Sequence, residues 1–305
     1  MGNQPTKENP NDQYENCLLR RSEEIPALGK FDIYEDPHSR NFYLAFESSY
    51  AITNQELAES EIAQLRKLDS ISNLAHLLRN SVGKSQMLCF ENYAIFLKFE
   101  FYNDNLHSLT KSRGPTAPVP EHEIWQVASA MIDFLIQLNR FGLSHGDLQP
   151  KHVLMTSDRQ VRILMPLIYT TYQNAYRLRL ANDDYKSTFS PEALNDYNMR
   201  NNSPTYDTIR ADIFSVGVCL LSYIHGEDYQ TYFNFKDNTV YFDKIKDRLS
   251  QMIRMKYSEE LFFLINLCVK QNAYERGTLD ALAKVLKKRY QTRGDFKIGN
   301  TILGA

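Results

Sequence analysis

Apolar residues alternate with polar ones in the first third of the chain and recur at helical spacing in the rest. Between Phe31 and Glu47 the segment FDIYEDPHSRNFYLAFE alternates around Glu-Asp-Pro-His-Ser, which predicts a β-hairpin. Next, NQELAESEIAQLRKL places Leu57, Ile62, Leu65 and Leu68 close to a 3.6-residue period, the pattern of an amphipathic helix starting at a Thr53/Asn54 cap. Strand-like runs at 86–91 and 93–101 complete a small sheet-plus-one-helix lobe over residues 25–103.

The stretch EHEIWQVASAMIDFLIQLNRF, residues 121–141, buries Ile124, Val127, Met131, Leu135 and Leu138 on one helical face and ends at Gly142, a C-cap position. Short strands follow at 152–156 and 160–164, then an irregular run over 165–190, then helical patterns near 211–225, 242–256, 258–270 and 278–290. Residues 104–293 therefore read as a larger, mainly helical lobe, giving an α+β bilobal architecture. Residues 1–24, rich in Asn, Gln, Glu and Lys, read as a disordered arm, and 294–305 as a tail. The sequence has no internal repeat and no low-complexity linker between the lobes, so they are expected to share one interface.

Composition narrows the classes. The 305 residues carry 35 Lys+Arg against 37 Asp+Glu, a net charge of -2, which offers no excess of cations for a nucleic acid. Cys17, Cys89, Cys219 and Cys268 stand far apart without metal-ligand spacing, so neither a disulfide framework nor a zinc site is expected. With no long apolar run and no secretory h-region, a reduced, cytoplasmic setting is the expectation. The N-terminus MGNQPT matches the M-G-x-x-x-[ST] acylation pattern, making Gly2 a candidate for myristoylation and for peripheral membrane contact. A single acyl chain binds marginally, and residues 1–24 supply no basic patch to reinforce it.

The stretch His145-Gly146-Asp147-Leu148-Gln149-Pro150-Lys151-His152-Val153-Leu154 resembles the H-R-D-L-x-x-x-N catalytic loop of protein kinases. Three more landmarks follow in the family's order. Ser190-Pro191-Glu192 resembles the A-P-E element, Asp212-Ile213-Phe214-Ser215-Val216-Gly217 resembles the D-x-W-S-x-G start of the central helix, and Arg276 resembles the arginine that pairs with the A-P-E glutamate. The resemblance covers roughly residues 25–290 and implies the bilobal kinase fold, with Glu192, Arg276 and Asp212 in structural roles.

Phosphoryl transfer needs parts that hold ATP, bind magnesium and orient a hydroxyl. The glycine-rich loop is reduced to Gly29, and the family's strand lysine aligns with Glu47 in Leu44-Ala45-Phe46-Glu47. Its helix partner aligns with Glu61, with Glu59 and Glu56 as other registers, so that two carboxylates would face each other. The metal-binding aspartate aligns with Met165, the catalytic-loop asparagine with His152, and the loop lysine with Gln149. Thioether and imidazole are poor ligands for a hard cation, so magnesium is not expected, while ATP binding is left open. Of the catalytic set only Asp147 remains.

The resemblance thus implies a degenerate protein kinase, a pseudokinase acting as a scaffold or allosteric binding module for a protein partner such as an active kinase or a large assembly. Two alternatives stand beside it: a structural subunit of a cytoskeletal or ciliary assembly, and an atypical phosphotransferase using Asp147, since His145-Gly146-Asp147-Leu148 with Pro150 also resembles the loop of aminoglycoside kinases. The hydroxyl-rich run that includes Tyr172, Tyr176, Tyr185, Ser187 and Thr188 reads either as a binding face or as an ordinary surface loop.

Overall fold

The computed structural model describes residues 18–25, 29–38, 42–48, 55–87, 90–102, 104–115, 117–165, 186–201 and 204–293. Five antiparallel strands, β1 (Leu18–Ile25), β2 (Gly29–Glu35), β3 (Phe42–Ser48), β4 (Leu77–Met87) and β5 (Phe90–Glu100), form one sheet in the order β1-β2-β3-β5-β4. The hairpin expected around Asp36 is β2–β3, with Phe31 opposite Phe46 and Ile33 opposite Leu44. Strand β1 corrects the reading of residues 1–24 as a disordered arm: it begins at Leu18 and pairs with β2 along its length. Its polar composition concealed it, because a ladder rests on backbone groups and on cross-strand pairs such as Arg20 Nε to Glu35 Oε2 at 2.7 Å.

Helix α1 (Gln55–Lys67) lies on the sheet face that carries Ile95, Leu97 and Phe99, and it buries Ala58, Glu61, Ile62 and Leu65 there. The predicted face was turned by about one residue, since Leu57 is 48% exposed. The Thr53/Asn54 cap lies outside the described residues. Beyond α1 the chain leans on the large lobe. Ala75 donates its amide to Ile163 O at 2.8 Å and Ile163 donates to Asn73 O at 2.6 Å, while Gln137 accepts from the Ser72 amide at 3.3 Å. The two lobes are therefore joined through backbone as well as side chains.

In the large lobe, β6 (Asp104–Asn105), β7 (Val153–Met155) and β8 (Val161–Ile163) form a small sheet beside α2 (Leu106–Arg113) and α3 (Glu121–Arg140). Helices α4 (Pro191–Asn198), α5 (Thr208–His225), α6 (Phe242–Arg254), α7 (Glu259–Cys268) and α8 (Leu279–Arg293) follow, with a short hairpin β9 (Phe233–Asn234) and β10 (Thr239–Val240) between α5 and α6. Helix α5 is buried on every side from Ala211 to His225, as its nearly continuous apolar sequence requires. Gly217 lets α7 approach it, because a Cβ there would stand 2.4 Å from Val269 Cγ1. Helices α2 and α4 and the β9–β10 hairpin carried no strong periodicity and were missed in the sequence.

Arg276 and Glu192 form the bidentate pair anticipated from the sequence. Arg276 Nη1 and Nη2 donate to the two Glu192 carboxylate oxygens, and Nε donates to Lys270 O at 2.8 Å. Nη1 also reaches Arg210 O at 3.0 Å, and the guanidinium sits 5.0 Å from the Phe214 ring centre. The arginine side chain is fully buried and its donors are spent on this one corner. Arg276→Met is expected to destabilise the protein by about 3–5 kcal/mol, the range for breaking a buried pair. Arg276→Lys should recover only part of that, because an ammonium cannot reproduce the fork. Equilibrium urea denaturation measures both, and a lysine variant as stable as the parent would show that charge alone suffices.

Candidate functional site

The motif at residues 145–152 runs from the end of α3 into β7 by way of a 3₁₀ turn, Pro150–His152. It is pinned from below by α5. Asp212 accepts the amide hydrogens of His145 at 2.6 Å and Gly146 at 2.7 Å. Burial pushes the Asp212 carboxyl up to about 7, against the pull of those two donors. Gly146 has φ +73, a backbone conformation that glycine adopts without strain.

The two histidines are buried and neutral. His145 Nε2 donates to Leu164 O at 3.0 Å, which leaves Nδ1 to accept the Asp147 amide at 3.2 Å. His152 Nδ1 donates to Asp147 O at 2.7 Å, so Nε2 carries the lone pair, and among the described residues it has no partner. Burial lowers the His145 pKa to about 3 and that of His152 to about 4.

Asp147 does not face an open cleft; the residue is 1% exposed. Its carboxylate accepts from Gln149 Nε2 at 3.1 Å on each oxygen and from the Ser187 hydroxyl on Oδ1. Gln149 is held in turn by the Tyr229 hydroxyl, 3.0 Å from its Oε1. Desolvation raises the Asp147 carboxyl well above the usual carboxylate range, and the bonds from Ser187 and Gln149 offset only part of that.

The remaining positions singled out in the sequence are not brought to Asp147. Met165 is buried and joins the hydrophobic core. Glu61 is buried under α1, and its Oε2 has no hydrogen-bond partner among the described residues. The side chain of Glu47, expected to face Glu61, lies outside the described residues. Along the backbone Glu47 pairs with Lys30 and Phe96. Lys98 places Nζ 3.8 Å from the Tyr43 ring centre. Gly2 and the run 166–185 lie outside the described residues.

A hard divalent cation needs several oxygen donors at fixed spacing. The corresponding places here hold the Met165 thioether and the His152 imidazole, and Asp147 is enclosed in hydrogen bonds. Among the described residues no three His, Cys, Asp or Glu side chains converge on a point. The described donors do not form a set that fits magnesium.

Residues 47–286 match the family model described as protein tyrosine and serine/threonine kinase. The chain belongs to the protein kinase family. A "probable protein kinase" of Dictyostelium discoideum is 23% identical over 232 residues, covering 72% of this chain and 58% of that protein. The membrane-associated tyrosine- and threonine-specific cdc2-inhibitory kinase wee-1.3 of Caenorhabditis briggsae is 23% identical over 172 residues, 56% of this chain and 24% of its own length. The chain thus spans less than two thirds of either kinase. Among solved structures, a mutant of the Mycobacterium tuberculosis PknI kinase domain superposes with a TM-score of 0.53 at 12% identity, over 90% of this chain and 95% of that one. That likeness is one of fold, and it agrees with the strand-rich small lobe and the helical large lobe described above. Among the described residues no helix is long and apolar enough to cross a membrane.

Within this kinase fold the sequence located Asp147, Gln149 and His152, but it missed the groups that enclose them. Ser187 and Thr188 were grouped with surface hydroxyls, yet each is 1% exposed, and Tyr229 was not singled out at all. Their only sequence signal is their position just ahead of Ser190-Pro191-Glu192 and just after α5. Glu61 gives a pH test. Burial raises its pKa from 4.5 to about 8, so the native state keeps a proton that the unfolded chain releases. Its contribution to stability is complete below about pH 4.5 and disappears as the pH climbs through about 8. Glu61→Gln removes this dependence. The stability of the variant relative to the parent should rise between about pH 5 and pH 8 and then level off, as followed by denaturant titration at each pH.

Proposed function

We propose that this kinase-family chain is a pseudokinase, a binding module that engages a protein partner without transferring phosphate. The observation that carries the reading is the state of Asp147. The one retained catalytic carboxyl is buried, has its pKa raised by desolvation and is occupied by Ser187 and Gln149. A general base must be within reach of the proton it takes, and this carboxyl is enclosed by the chain's own donors. The positions that would supply electrostatic stabilisation hold Met165, His152 and Gln149, none of them charged at neutral pH. The relatives are named as kinases, so the loss of chemistry belongs to this chain's own residues and not to the fold.

Magnesium plays no part in this reading. In a thermal-denaturation series, ATP with magnesium should give no more stabilisation than ATP with EDTA, and labelled γ-phosphate should reach neither the chain nor a general protein substrate. A magnesium-dependent upward shift, growing as RT ln(1 + [L]/Kd), would establish a metal-nucleotide site and return Asp147 to a catalytic role.

Membrane contact through Gly2 is part of the proposal, supported by the N-terminal M-G-x-x-x-T pattern. Co-expression with an N-myristoyltransferase should add one myristoyl group to the parent and none to Gly2→Ala, as read by intact mass. An unmodified parent would confine the protein to its protein partner.

A further inference from the structure

Strand β1 is an edge of the five-stranded sheet, and among the described residues no element pairs with its outer side. Leu18, Leu19, Arg20, Arg21 and Ser22 are all exposed, the two leucines at 49% and 51%. Such an edge offers a row of backbone donors and acceptors to any strand that can lie beside it. Charged residues usually prevent this, because copies of one strand set like charges against each other.

The order of residues in β1 removes that protection in one arrangement. The strand reads Leu18-Leu19-Arg20-Arg21-Ser22-Glu23-Glu24-Ile25, with two cations before Ser22 and two anions after it. A second copy running in the opposite direction about Ser22 sets Arg21 opposite Glu23, Arg20 opposite Glu24 and Leu19 opposite Ile25. The twofold axis repeats each pairing, so every charge of both strands stands opposite its complement. Parallel pairing in register would put arginine on arginine. A slip of one residue in the antiparallel pairing sets Arg20 against Ile25 or Leu19 against Glu24.

We propose that β1 is a self-recognition edge, at which two copies of this chain join antiparallel about Ser22 and merge their small-lobe sheets into one continuous sheet. The ladder with β2 skips Arg20, whose guanidinium holds Glu35 on the β2 side. Arg21 and Glu23, the charges nearest the twofold axis, therefore carry most of the selection for this register. The contact lies in the small lobe, away from the catalytic loop, and does not rest on the loss of phosphate transfer. It buries little beyond the strand itself, so the dimer forms in a concentration-dependent way.

Sedimentation velocity of the full-length chain over a concentration series tests this. The parent is expected to pass from monomer to dimer as its concentration rises. Arg21→Glu and Glu23→Arg each set like charges opposite at two places, and each is expected to weaken dimerisation about tenfold. Mixing the two variants makes the charges complementary again and should restore a dimer with one copy of each. The double variant Arg21→Glu/Glu23→Arg should dimerise by itself. A parent that stays monomeric at every concentration overturns the proposal. So does a dimer that survives both single reversals, or one that their mixture fails to restore.

Discussion

The Asp212 carboxylate, accepting the His145 and Gly146 amides at 2.6 and 2.7 Å, fixes the catalytic loop onto the most buried helix of the molecule. Everything at the site is placed relative to that junction. With the loop backbone held at residues 145 and 146, His145 spans to Leu164 on one side and receives the Asp147 amide on the other. His152 closes the loop on Asp147 O. Such a loop carries many backbone donors and acceptors into a dry interior, and each must find a partner there. The neutral histidines provide those partners without adding a charge that burial would penalise.

The same economy governs Asp147. Burial raises the pKa of this carboxyl, and the surroundings contribute the hydrogen bonds of Ser187 and Gln149 in place of a cation. In a phosphate-transferring site the corresponding region is open, charged and oxygen-rich. Here it is closed and lined in part by sulfur, with Met165 in the core and Cys219 beneath Leu148. The family's architecture persists because its determinants lie elsewhere, in the Glu192–Arg276 fork, the Asp212 junction and the apolar faces of α3 and α5.

Much of that architecture was legible in the chain. Long apolar periodicities announced α3 and α5, the alternation about Asp36 announced β2–β3, and four short motifs in order announced the family. Polar strands escaped notice: β1 and most of β4 pair through backbone bonds that leave no hydrophobic pattern. At the site, the identity of each motif residue was readable, but the groups that surround it, Ser187 and Tyr229, were not.

By itself the sequence determined the family, the two lobes and which residue stands at each motif position, because these depend on residue type and on local spacing. Only the tertiary structure decided that Asp147 is enclosed, that Ser187 and Tyr229 are among the groups enclosing it, and that Glu61 is a buried acid whose Oε2 has no hydrogen-bond partner among the described residues. These facts come from residues 40 to 80 positions apart meeting in an interior of low polarity. Burial and partner choice there set protonation and access, and neither is a property of any short stretch of chain.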